Sequence, residues 1–128
     1  MLNTKTKGLS DSTLHALWRK AVRAQGQNRC IICGAWGQLE CHHVIHRRYK
    51  LLRWDWRNGV PVCPGVCHDM ADREGVGIAG DYAPHLRAVA RVTFKQYLVD
   101  MELSEAEWRE RVKYDLQQAI GGTDDRRI

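Results

Sequence analysis

Two closely spaced cysteine pairs, Cys30-x2-Cys33 and Cys63-x3-Cys67, limit what this chain can fold into more than any other feature. Each pair can bend its backbone so that two thiolates aim at one tetrahedral ion, with sulfur about 2.3 Å from the metal. Two such turns joined across 29 residues predict a closed, structural four-cysteine zinc site. The second pair has one residue more than the usual spacing, with Pro64 and Gly65 inside it. At 128 residues the chain has the length of one domain with a modest core, where a metal staple contributes a useful share of the stability. Cys41 makes five cysteines, so complete disulfide pairing is excluded for a monomer. The sequence shows neither an 18-residue apolar run nor a charged-then-apolar leader, so no membrane span is expected. The thiols are expected to be reduced and the protein cytoplasmic, with Cys41 a small packed residue rather than a ligand.

The staple has a consequence for the rest of the chain. Drawing Cys33 and Cys63 together makes neighbours of two distant segments, the one carrying His42-His43 and the one running from Asn58 to His68. Three of the six histidines, His42, His43 and His46, fall within five residues. Positive charge gathers beside them. Between His42 and Arg57 stand Arg47, Arg48, Lys50, Arg53 and Arg57 against Asp55 alone, a net charge of +4 out of +5 for the whole chain. Charge focused on one loop attracts phosphates better than the same charge spread evenly, so these five residues are expected to meet phosphates. A merely solvated basic loop is the alternative.

The pattern of apolar residues predicts a mixed α+β domain in three parts. Residues 10–27 read as an N-terminal helix, with Ser10, Asp11 and Ser12 as caps, an apolar stripe of Leu14, Leu17, Trp18, Ala21 and Val22, and a stop at Gly26. Residues 28–75 hold the cysteine turns, a strand in "QLECHHVI", a second short strand from the Asn58-Gly59 turn to Cys63, and a short helix from about 67 to 74. Residues 81–120 read as a helical scaffold. One amphipathic helix is expected over 83–101 and another over 105–120, opened by a Ser104–Glu107 capping box and burying Trp108, Val112, Leu116 and Ala119. The polar residues 1–9 are expected to fray, and "GVGIAGDY" to form a loop. His15 and His85 are expected on helix surfaces without a role. Trp54 and Trp56 are expected to brace the basic loop.

Within the central part, "ECHHVIHRRYKLLRWDWRNGVPVCPGVCH" resembles the motif of the HNH endonucleases, which fold as a treble-clef-like ββα-metal finger. The likeness covers roughly residues 28–75 and is to the four-cysteine zinc type. A weaker likeness links "HRRYKLLRWDWRN" to NinG-like (Rap-like) phage recombination endonucleases. The resemblance implies a phage or prophage enzyme that cuts DNA in recombination, packaging or defence, in the host cytoplasm. By position, His42 and His68 would ligate a catalytic divalent ion, Mg²⁺ or another such as Mn²⁺, and His43 would be the general base. Asn58 would either shape the loop between the strands or touch the metal. Double-strand cleavage would need a homodimer or a phage protein partner, because one finger makes one cut.

Elementary chemistry fits those roles. Phosphodiester hydrolysis needs a deprotonated water and help for the charge on the leaving oxygen. An imidazole with the ordinary pKa of about 6.5 suits proton abstraction, which leads to an expected rise in activity between about pH 5.5 and 7.5. His46 is expected to meet a phosphate or solvent. A zinc-dependent DNA-binding module without cleavage remains the alternative.

Overall fold

The structure, a computed structural model, describes residues 9–76 and 80–125. The polar opening at 1–8 and positions 77–79 of the expected loop lie outside the described residues. Helix α1 (Asp11–Gln25) is followed by strand β1 (Glu40–His43), a 3-10 turn (Trp56–Asn58), strand β2 (Gly59–Val62), and helices α2 (Val66–Glu74), α3 (Ala83–Ala90), α4 (Phe94–Met101) and α5 (Glu105–Asp125). The protein is thus mixed α+β, with five helices and one two-stranded sheet among the described residues. No described helix is long and apolar enough to cross a membrane.

Helix α1 starts where the sequence predicts. Ser10 is its N-cap, accepting from the Thr13 backbone N–H at 3.2 Å, and Gly26 closes it. Its stripe of Leu14, Trp18, Ala21 and Val22 is fully buried and packs against Trp54 from the basic loop and Trp108, Leu116 and Ala119 from α5. The capping box at the start of α5 forms in both directions, Glu107 N–H to Ser104 Oγ at 3.1 Å and Ser104 N–H to Glu107 Oε1 at 2.8 Å.

The single helix expected over 83–101 is instead two. Thr93 does not continue the apolar stripe; its hydroxyl accepts from Gln96 N–H at 3.1 Å and caps a new helix. A threonine that can bond the backbone two or three residues on competes with helix continuation, which the periodicity alone does not reveal. Helix α5 also runs beyond 120, through Gly121 and Gly122, because a glycine weakens a helix by only about 1 kcal/mol and does not break it.

β1 and β2 pair antiparallel, with Glu40 opposite Val62, Cys41 opposite Pro61, His42 opposite Val60 and His43 opposite Gly59. Side chains alternate along a strand, so this small hairpin has two distinct faces. Cys41, His43, Gly59 and Pro61 face α1. Glu40, His42, Val60 and Val62 face α2, where Val62 and Ala71 share a buried cluster with Cys30 and Leu39. The absence of a side chain at Gly59 is required: a Cβ there would lie 2.7 Å from Trp18 Cζ2 and collide with Val22. The space opposite His43 is therefore filled by the Trp18 indole.

Candidate metal centres and the basic cleft

The first centre is the four-cysteine group. The sulfurs of Cys30, Cys33, Cys63 and Cys67 all lie within 4.8 Å of one another. Cys33 Sγ and Cys63 Sγ are 3.6 Å apart, close to the roughly 3.8 Å edge of a tetrahedron with 2.3 Å metal–sulfur bonds. The residues present therefore fit a tetrahedral ion. Backbone N–H groups of Ile32, Cys33 and Cys63 point at Cys30 Sγ from 3.4, 3.5 and 3.3 Å. Burial opposes ionisation of Cys30, but these donors outweigh it and bring its pKa down to about 6. Cys63, sharing its hydrogen with Cys33, is pushed up to about 12, and Cys67 by burial and the same neighbours to about 11. Four thiolates crowded together need a cation to ionise as a set, which is the chemistry of a closed zinc or similar site. Cys41 stands apart: its thiol is half-buried on the α1 face, 3.6 Å from the Arg19 carbonyl, and burial raises its pKa.

The second centre lies on the α2 face of the hairpin. The structure brings His42 and His68 together with Asp72, their ligand atoms within 4.8 Å of one another. His42 Nδ1 is 3.2 Å from Asp72 Oδ1, and the two imidazoles meet edge to face at 5.5 Å. Burial lowers the His42 pKa, with Asp72 opposing and His68 adding to the effect, a shift toward the neutral form that a metal ligand requires. Glu40 Oε1 accepts from His68 Nδ1 at 2.6 Å, a carboxylate–imidazole contact that fixes the orientation of the ring. Asp72 and Glu40 were not among the expected site residues. Their signal is periodicity: Asp72 is four residues after His68 on one helix face, and Glu40 two before His42 on one strand face.

His43 does not join this cluster, because the next residue of a strand points the other way. Its ring lies 4.0 Å from Trp18, within 8° of parallel, with His15 also near at 6.2 Å. Its Nε2 is 2.9 Å from the Arg53 carbonyl oxygen. A carbonyl only accepts, so Nε2 carries the hydrogen and Nδ1 is the basic nitrogen. Burial lowers the His43 pKa to about 4, with Arg53's carbonyl opposing and His15, Arg47 and His42 adding to the fall. The expected titration between pH 5.5 and 7.5 is thus corrected downward, since the ordinary value of 6.5 assumes a hydrated ring. His15 is also corrected: it packs into the stack with Trp18 rather than standing idle on a helix surface.

Asn58 is fully buried and spends its side chain on the backbone. Its Oδ1 accepts from Ile45 N–H at 2.7 Å, and its Nδ2 donates to the Ile45 and Leu52 carbonyls at 2.9 and 3.0 Å. Of the two roles open to it, these bonds give it the shaping of the 44–57 loop at its neck. Asp55 supports the same loop. Its carboxylate accepts from Arg57 Nε at 2.8 Å and from His85 Nε2 at 2.7 Å, and its carbonyl from Trp18 Nε1 at 2.8 Å. His85 therefore ties α3 to the loop, a role its surface position in the sequence pattern did not suggest. Trp54 is buried against Trp108 as a brace, and Trp56 meets Tyr82 edge to face.

The five basic residues divide. Arg47, Arg48 and Arg53 line an open cleft of about 460 Å³ with His15, His46, Asp11, Ser12 and Trp54. Arg53 Nε donates to the Arg47 carbonyl at 2.9 Å, which holds two of them side by side. Lys50 instead turns to Glu105 at 3.5 Å and lies over the Phe94 ring, and Arg57 is paired with Asp55. Compared with known protein families, with curated proteins and with solved structures, the chain shows no significant match.

Proposed function

We propose that this protein is a metal-dependent DNA endonuclease of the HNH type, with zinc in the four-cysteine site and Mg²⁺ or Mn²⁺ at His42, His68 and Asp72. The observation that carries the reading is the pairing of two unlike metal-ligand sets across one hairpin. One is four sulfurs within 4.8 Å of one another, with Cys33 and Cys63 at 3.6 Å. The other is two nitrogens and a carboxylate, with Asp72 63% exposed at its open side. The first suits a structural ion, and the second leaves positions for water and a phosphate oxygen. The succession β1, β2, α2 supports the reading, since it is the order expected of a ββα-metal finger.

A divalent ion at the second site would stabilise charge on the phosphate and the leaving oxygen. The protein's own residues supply the rest. Glu40 orients His68 toward the site, and Asn58 keeps the basic loop in register with it. His43 presents a neutral Nδ1 whose tautomer is fixed by the Arg53 carbonyl, the state that a base needs. It is the last residue of β1, so a phosphodiester lying across the strand end would have the metal ligands on one side and His43 on the other. Arg47, Arg48 and Arg53 would hold the flanking phosphates there, Arg being able to do so with paired hydrogen bonds.

The test is nicking of supercoiled plasmid with added Mg²⁺ or Mn²⁺, alongside zinc content and melting. His43→Ala should keep zinc and fold while its rate falls roughly 10²–10⁴-fold, the usual worth of a positioned base. Cys33→Ser should lose zinc, stability and nicking together, because zinc binding in such sites is folding energy. A fully active His43→Ala protein would remove the base assignment, and DNA binding without nicking by the wild type would leave a non-cleaving zinc module.

A further inference from the structure

The first cysteine turn carries an aromatic residue that the core does not use. Trp36 is 65% exposed, whereas Trp18, Trp54 and Trp108 are all buried. Its backbone pairs with Arg29 in an isolated antiparallel bridge, and the Arg29 guanidinium lies 4.4 Å from the centre of its ring. Arg29 is itself held, with Nη1 donating to the Gly34 carbonyl at 3.5 Å. Cys30 N–H donates to the Ala35 carbonyl at 2.9 Å, so the turn that bears the indole is tied to the metal site. Gly34 and Gly37 flank it at φ 76° and 129°, in the region that glycine favours. The indole is thus backed by a cation on one face and open on the other.

We propose that Arg29 and Trp36 form a stacking platform for an unpaired DNA base, so that the substrate class is DNA with single-stranded nucleotides beside the cut. This deepens the nuclease reading and rests on it. A base inside a duplex has both faces covered by its neighbours; only an unpaired or terminal base offers a free face to a side chain. Ring and guanidinium are already assembled, so stacking would freeze little further freedom. The guanidinium against the indole favours nucleic acid over a basic or purely apolar partner. Along the chain, residues 12–39 carry Arg19, Lys20, Arg23 and Arg29 and no carboxylate, although Asp11 and Glu40 flank them. Even against the formal double negative charge of a divalent ion with four thiolates, that segment stays positive. The platform is also near the second centre. Three residues separate Trp36 from Glu40, a backbone span of at most about 14 Å. Since Glu40 bonds His68, the stacked base would lie within a few nucleotides of the metal ligands.

The experiment measures the affinity of zinc-loaded protein, without added Mg²⁺, for two fluorescent DNAs at one salt concentration. One is a blunt duplex of about 20 base pairs; the other is the same duplex with a single-stranded tail of about five nucleotides. Wild type should prefer the tailed DNA by roughly 5- to 100-fold, as one or two stacked bases allow. Trp36→Ala should bring the two affinities together with zinc content and melting unchanged, and Trp36→Phe should keep most of the preference. Equal wild-type affinity for both DNAs overturns the platform, as does a Trp36→Ala protein that keeps the preference or weakens on both DNAs alike. Plasmid nicking reports separately. A nicking protein without the tail preference refutes only the platform, and a tail preference without nicking refutes only the nuclease.

Discussion

Removing the Asn58 side chain should open the basic loop at its neck. Asn58→Ala deletes three hydrogen bonds of 2.7, 2.9 and 3.0 Å and strands the Ile45 N–H and the Ile45 and Leu52 carbonyls around a fully buried position. At about 1 kcal/mol for each bond lost, the expected destabilisation is about 3 kcal/mol. For a chain of this length that lowers Tm by roughly 10–15 °C. Asn58→Asp should be no better, because it keeps an acceptor for Ile45 N–H but sets a carboxylate against two carbonyl oxygens. Zinc should be retained in both, since none of the four sulfurs depends on the amide. Urea unfolding followed by tryptophan fluorescence, with zinc content on the same samples, measures the effect. An Asn58→Ala protein as stable as wild type would refute the clamp, and if it were also inactive, Asn58 would belong to the chemistry instead.

Two further expectations concern pH and salt. Because burial holds His43 near pKa 4, its basic form persists to lower pH than a hydrated histidine's would. At saturating metal the histidine limb of kcat/KM should therefore fall near pH 4, and bound phosphate should raise it in kcat; a kcat/KM limb at 6.5 would point to another group. Replacing Arg47 and Arg48 together should weaken binding to all DNA sequences alike and lower the log–log salt slope by roughly 1–2, whereas a change in sequence preference at unchanged slope would contradict phosphate contact. The matching change at Lys50 should matter less, since its ammonium already faces Glu105.

Much of this arrangement was legible in the sequence because it is carried by short-range signals. Cysteine spacing foretold the sulfur cluster, the apolar stripe and Ser10 foretold α1, and Ser104 with Glu107 foretold the start of α5. What stayed hidden depends on which face a side chain takes. Adjacent histidines look equivalent in a motif, yet the pleat sends His42 to α2 and His43 to Trp18. Asp72, Glu40 and His85 carry no motif of their own, and their roles come from partners 30, 28 and 30 residues away. The break between α3 and α4 was missed because the apolar residues on either side of Thr93 keep helical spacing, while the backbone answers to the threonine hydroxyl.

The eight residues between Cys33 and His42 also set a phase. The sulfur cluster fixes where the chain leaves the first turn, and β1 begins six residues after Gly34. Adding or removing one residue in that interval would carry Cys41 or His43 to the face now held by His42, exchanging ligand for stacked ring without altering a single side chain. Two residues would restore the face but slide it along β2 by about 7 Å, past Val60 and away from Asp72. The four-cysteine staple therefore acts as a ruler as well as an anchor: the length of chain it pins decides which histidine meets which chemistry.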